Sequence, residues 1–164
     1  MNILSLDLGT KTGWSWRSQQ TLTRGTWQLA TPKEIKEWGQ VRLTRRCDPR
    51  IERLSNNLKP FINAADLVVF EDVQFSSFTM QCQLWASFRT VVWMDFRSSA
   101  AIIDCVPVST LKKFATGHGG ATKEMLRTAA FRTCTTLSPK LDDNAIDAFW
   151  IDRWAKETFG RMKP

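Results

Sequence analysis

Ile3-Leu4-Ser5-Leu6-Asp7-Leu8-Gly9-Thr10-Lys11-Thr12-Gly13 is an apolar run that carries one carboxylate near its end and then breaks into a Gly-Thr turn. The run predicts a buried β-strand over residues 2–8, with Asp7 near its C-terminal end. A buried carboxylate is costly unless something positive pairs with it. No basic residue lies within the apolar part. A metal ion, a substrate group or a distant Lys or Arg must therefore supply the charge.

The neighbouring segments build a sheet around this strand. Thr12 to Trp16 alternates, with Trp14 and Trp16 on one face, and Thr21 to Leu29 is again β-like. Gly9 and Gly13 mark the first turn and Ser18-Gln19-Gln20 the second. Turns this short predict a three-strand antiparallel meander. Lys33 to Trp38 reads as a short helix starting at Thr31-Pro32, and the Arg-rich stretch 39–47 as loop or irregular helix. Asp48-Pro49 is a helix start, a cap residue followed by Pro. Ile51, Leu54, Leu58, Phe61 and Ile62 then form one apolar stripe, which leaves Arg50 and Arg53 nearer solvent. Asp66 to Asp72 is the next strand. It follows a crossover helix, so it should lie parallel to the first. Glu71 ends it as Asp7 ends the first strand, which puts both carboxylates on the same edge of the sheet.

Gln81 to Arg97 reads as a long helix whose apolar surface is too wide for one stripe, and Ala101 to Val108 as a further strand. A short helix over 109–115 leads into the Gly-rich loop 116–121. Thr122 is placed to cap a helix over Lys123–Cys134. The last helix runs from about Asp142 to Phe159. The expected fold class is α/β. A five-stranded mixed sheet, the antiparallel meander plus two parallel strands, is flanked by helices in one domain over 1–164.

Composition bounds the function. A chain of 164 residues can bury a real core. It has no apolar run of about eighteen residues and no basic segment before its first apolar stretch, so neither a membrane span nor a secretory signal is expected. Cys47, Cys82, Cys105 and Cys134 are scattered, which favours inert thiols in a reducing cytoplasm over a disulfide framework or a zinc site. The single His, His118, weakens His-ligated zinc and His-based triads, and the absence of Tyr excludes a tyrosine nucleophile. A net charge of +7 suggests a polyanionic partner, most often nucleic acid. Arg42, Arg45 and Arg46 crowd one segment. Lys112, Lys113 and Lys123 flank the Gly-rich loop.

The last helix carries Asp142, Asp143, Asn144, Asp147 and Asp152. On a helical wheel Asp143 and Asp147 share one edge of the buried side, with Asn144 further out and Asp152 further still. Asp142 reads as the cap. Asp143 reads equally as a cap-region acid or a ligand. Asp147 lies too deep to cap anything. Two carboxylates four apart repel, and at the border of an apolar face they repel more strongly unless a divalent cation sits between them. Carboxylate-only donors suit Mg²⁺ or Mn²⁺ rather than zinc.

These pieces together resemble the RuvC-type Holliday junction resolvases of the ribonuclease H-like fold. The resemblance is carried by Leu6-Asp7-Leu8-Gly9-Thr10-Lys11-Thr12-Gly13-Trp14, by Val68-Val69-Phe70-Glu71, by Thr116-Gly117-His118-Gly119-Gly120-Ala121-Thr122-Lys123, and by Asp143-Asn144-Ala145-Ile146-Asp147-Ala148. It implies a metal-dependent endonuclease that cuts four-way or branched DNA in recombination and repair. By the same resemblance Asp7, Glu71 and Asp147 would hold two metal ions bridged by Asp7. One ion would activate a water for in-line attack and the other would stabilise the leaving 3′-oxygen, giving a 5′-phosphate. The family's fourth ligand precedes the final Asp by three or four residues. Asn144 departs from the Asp or His found three before, and Asp143 would fill the role from four before. Lys123 would contact a phosphate, a solvated lysine being the competing reading. Phe75 and Phe78 follow Glu71, where the family stacks an aromatic on the junction bases; anchoring of the loop in the core is the competing reading. The family is homodimeric, and Trp93 and Met94 on the long helix are candidate anchors.

Three rivals stand beside this reading. Asp7-Leu8-Gly9-Thr10 also resembles the phosphate-binding turn of the actin and sugar-kinase superfamily. Its second Asp-x-Gly turn is absent here, and 164 residues are too few for two lobes. Asn144 at a possible ligand position motivates a non-catalytic DNA-binding module. The third rival keeps the chemistry and changes the substrate to RNA or an RNA–DNA hybrid.

Overall fold

The computed structural model describes residues 1–19, 21–39, 48–73 and 79–160. Arg42, Arg45, Arg46, Phe75 and Phe78 lie outside the described residues. The elements follow in the order β1 (Ile3–Asp7), β2 (Lys11–Arg17), β3 (Leu22–Gln28), α1 (Pro32–Gly39), α2 (Pro49–Leu58), a 3₁₀ turn (Lys59–Phe61), β4 (Leu67–Asp72), α3 (Thr79–Phe96), β5 (Ile102–Pro107), α4 (Val108–Thr116), α5 (Lys123–Thr133) and α6 (Asp143–Phe159). The five strands form one sheet in the order β3-β2-β1-β4-β5. The first three pair antiparallel, and β1, β4 and β5 run parallel. This is the expected mixed sheet. The crossover through α2 brings the chain back so that β4 pairs parallel to β1.

Strand alternation divides the core into two layers. Ile3, Leu67 and Val69 face α4, α5 and α6 and pack with Ile146, Phe149 and Trp150. Leu4, Leu6, Val68 and Phe70 face α2 and α3 and pack with Leu54, Phe88 and Val92. Burying each such side chain contributes about 1.5–3 kcal/mol. Trp14 stacks on Trp27 with ring centroids 5.6 Å apart, and Phe61 closes on both and on Trp16. Helix starts are also where the cap chemistry puts them. Asp48 accepts from the Arg50 N–H, Thr122 from the Met125 N–H and Asp142 from the Ala145 N–H.

Three expectations are corrected. Gly13 is not in a turn but inside β2, opposite Asp7 on one side and Thr26 on the other. A Cβ there would collide with the Asn144 carbonyl oxygen and lie 3.1 Å from the Ala145 nitrogen, so the start of α6 crosses β2 on the space glycine leaves. Arg50 does not face solvent: its guanidinium donates to the Asp48 carboxylate and, at 3.0 Å, to the Thr10 hydroxyl, tying α2 to the turn after β1. Asp152 does not lie on the exposed side of α6. It is wholly buried, and Arg17 of β2 reaches it with two hydrogen bonds of 2.8 and 2.6 Å.

Candidate active site

The parallel register pairs Ile3 with Leu67 and runs to Leu6 opposite Phe70. Asp7 and Glu71 therefore leave the sheet side by side at its C-terminal edge. Each shares a face with the residues that pack under α6: Asp7 with Ile3, Glu71 with Leu67 and Val69. α6 lies across β1 and β2 and presents Asp147 to this same edge. The glycine at position 13 thus has a functional consequence, because the close crossing it permits brings the helix carboxylate to the strand carboxylates.

The three groups feel one another. Burial first, and then the charges of Asp147 and Glu71, hold the Asp7 carboxyl well above the usual range. Glu71 is pushed up to about 7 by burial and by Asp147. Asp147 is pushed up to about 6, mainly by burial, with Asp143 and Asp142 adding to it. Positive charge arrives from outside the cluster. Lys123 at the head of α5 lowers all three, and Lys112 of α4 lowers Glu71 and Asp147. Among the described residues no hydrogen bond or ion pair neutralises Asp7, Glu71 or Asp147. Their mutual repulsion is therefore offset only by the more distant lysines.

At the head of α6 the acids divide. Asp142 is the cap, and it also accepts from the Thr26 hydroxyl at 2.5 Å. The Asn144 side chain bonds the same carboxylate, so the amide is engaged with the cap. Asp143 is half exposed and lies 3.4 Å from the Arg127 guanidinium. It raises Asp147 without sharing its burial. Lys123 and Lys113 are exposed and Lys112 is half-buried, on the two helices that face the carboxylates. The connection between those helices turns at Gly117, whose φ of 81° suits only glycine well.

Among the described residues no three His, Cys, Asp or Glu side chains close into a ready-made metal cage. The donor chemistry nonetheless fits a hard divalent cation: carboxylate oxygens only, half-buried and mutually repelling. Mg²⁺ commonly takes one or two carboxylates and completes its shell with water and substrate phosphate, so a preformed cage is not its requirement.

One ion pair at this edge escaped the sequence reading. Asp72 follows Glu71 but points to the opposite face, where Arg89 of α3 lies 3.4 Å away. The only available signal was the pair of acids ending β4. An arginine seventeen residues later on a helix gave no hint of meeting it.

No protein-family model matches the chain, and no curated protein matches it in sequence. Solved structures do. The Thermus thermophilus RuvC structure superposes with a TM-score of 0.67 and 16% identity, covering 99% of this chain and 96% of the other. T. thermophilus RuvC in complex with a Holliday junction substrate superposes with a TM-score of 0.69 at the same identity and coverage. At this identity the likeness shows the fold: this chain has the ribonuclease H-like fold of RuvC over essentially its whole length.

Proposed function

We propose that the chain is a divalent-cation-dependent endonuclease that resolves four-way (Holliday) or branched DNA junctions. The observation that carries the reading is the trio Asp7, Glu71 and Asp147, half-buried at one sheet edge with raised proton affinity and no neutralising partner among the described residues. Support comes from the shared fold with a RuvC solved on a Holliday junction, and from a net charge of +7 suited to a polyanion.

Asp7, Glu71 and Asp147 would hold Mg²⁺ or Mn²⁺, two ions per site, with Asp143 as a fourth donor when its contact with Arg127 opens. Bound there, such ions supply Lewis-acid stabilisation of the phosphorane-like charge and lower the pKa of a bound water. The protein's own part is positioning and electrostatics. β1 and β4 fix two carboxylates in register, and α6 adds the third. Lys123 and Lys112 attract the phosphate backbone toward the edge and offset the acidic cluster. Lys123 begins α5, where unpaired backbone N–H groups add to the pull on a phosphate. Lys113, Arg42, Arg45 and Arg46 extend the basic surface in this proposal, and Phe75 and Phe78 are the aromatics available to the junction centre. Hydrolysis would leave a 5′-phosphate. A junction needs two symmetric nicks, so the working unit would be a homodimer.

The test is cleavage of four-way, forked and linear DNA in parallel, with and without Mg²⁺. Preferential paired nicking of the four-way substrate is the expected outcome. Asp7→Asn, Glu71→Gln and Asp147→Asn should each lower the cleavage rate by more than about a hundredfold while junction binding persists, because binding rests on the basic residues. Normal cleavage by Asp147→Asn would mean that the site is misassigned, and equal cutting of linear DNA would remove the junction from the proposal.

A further inference from the structure

Beside the carboxylate edge, on the face of the sheet turned to α3, lies an open cleft of about 440 Å³. Its lining includes Leu8, Phe70, Glu71, Asp72, Trp85 and Arg89. The volume is in the range of sites that take a small molecule or one nucleotide. Two of its residues are unusual for a structural wall. The Nε of Arg89 is buried and lacks a hydrogen-bond partner among the described residues. Its Nη1 meets the Asp72 carboxylate only at 3.4 Å, and its guanidinium lies over the indole of Trp93, 5.3 Å from the ring centroid. Arg89 is therefore held in place by packing while much of its donor fork is unused. Trp85 is half-buried in the same wall and joins the apolar layer under the cleft.

We propose that this cleft is a nucleotide subsite. It takes one nucleotide within two positions of the phosphate at the Glu71 edge, with the Arg89 fork on that nucleotide's phosphate and the Trp85 ring against its base. The inference rests on the nuclease reading and adds a binding element to it. The physical case is complementary. A guanidinium fork matches phosphate oxygens two at a time. An indole offers a surface for any base and so adds affinity without demanding a sequence. Glu71 both lines the cleft and ends β4 at the carboxylate edge, so a strand crossing that edge passes within reach of the cleft.

The experiment is equilibrium binding of the full chain to a fluorescent four-way junction in EDTA, where no cutting occurs. Single abasic positions are scanned around the exchange point. Wild type should lose about fivefold in affinity at one or two abasic positions. Trp85→Ala should bind intact and abasic junctions alike. Arg89→Gln should weaken binding of the intact junction about five- to tenfold and reduce the slope of log affinity against log salt by about one. Arg89→Lys, which keeps charge without the fork, should fall between. Thermal melting of each variant separates these effects from misfolding. If well-folded Trp85→Ala keeps the wild-type abasic penalty and Arg89→Gln keeps the salt slope, the subsite is wrong while the nuclease reading stands. If wild type binds linear and branched DNA equally, the junction reading fails and takes the subsite with it.

Discussion

Glu71 shows at a single residue what the proposed cation would offset. Its folded-state pKa of about 7 stands above the ordinary value of 4.5. The folded chain therefore holds a proton that the unfolded chain has released over that interval. Stability must fall as pH rises from about 4.5 to 7, and the cost is fully present above 7. Removing the charge should remove the cost. Glu71→Gln in metal-free buffer is expected to be more stable than wild type at pH 8, by on the order of 2–3 kcal/mol, and no more stable at pH 4.5. Urea denaturation at the two pH values measures this directly. A variant less stable than wild type at pH 8 would show that Glu71 is satisfied by the fold and has no cation to wait for. Mg²⁺ should stabilise wild type and leave Glu71→Gln largely unmoved, which reads cation binding without reference to cleavage.

At the scale of elements, the crossing of α6 over β2 decides whether the site exists. Gly13→Ala would drive a methyl group into the Asn144 carbonyl oxygen. The expected loss is more than about 2 kcal/mol of stability, with cleavage reduced further because Asp147 is displaced from Asp7. A variant as stable and active as wild type would mean that the helix can slide away at no cost. The second tie is Arg17 to Asp152, with Asp152 fully buried. Asp152→Asn should cost about 2–3 kcal/mol because it removes the charge that the half-buried Arg17 guanidinium pairs with, and Arg17→Met with Asp152→Leu should recover most of it. Denaturation midpoints of the single and double variants check both statements. These ties also mark the limit of reading the chain unaided. The strands, the parallel β1–β4 pair and the caps at Asp48, Thr122 and Asp142 were legible, because hydrophobic period and cap chemistry are local. Asp7 and Glu71 at one edge followed from strand direction alone. Asp152 was misplaced because a helical wheel ranks residues by distance from one apolar stripe, whereas α6 also buries a flank against β2, 135 residues away in sequence. Gly13 looked like a turn because its actual cause, a helix passing overhead, is tertiary. Arg89 went unnoticed for the same reason.

For the whole molecule, the proposed nuclease reading gives one nick per carboxylate edge and so one per chain, while a four-way junction falls into two duplexes only when two opposed strands are cut. The surface offers a means to pair the sites. Along α3, Trp93 and Met94 are about half exposed and Met80 more so. Other residues of the same helix, Phe88, Val92 and Phe96, are wholly buried. α3 therefore packs its inner face against the sheet and leaves a second apolar face uncovered, on the side away from the carboxylates' α6 face. A two-fold axis through that face would leave both catalytic edges open to DNA and direct the two cuts from one complex. Met94→Glu places a charge in the centre of the proposed interface without touching the Arg89–Trp93 contact. Sedimentation at micromolar concentration should show wild type as a dimer and Met94→Glu as a monomer of unchanged melting temperature. On a junction held in a small cruciform, the variant should give single nicks separated in time where wild type gives paired cuts. A wild type that sediments as a monomer yet makes paired cuts would place the coordination on the DNA and not on α3.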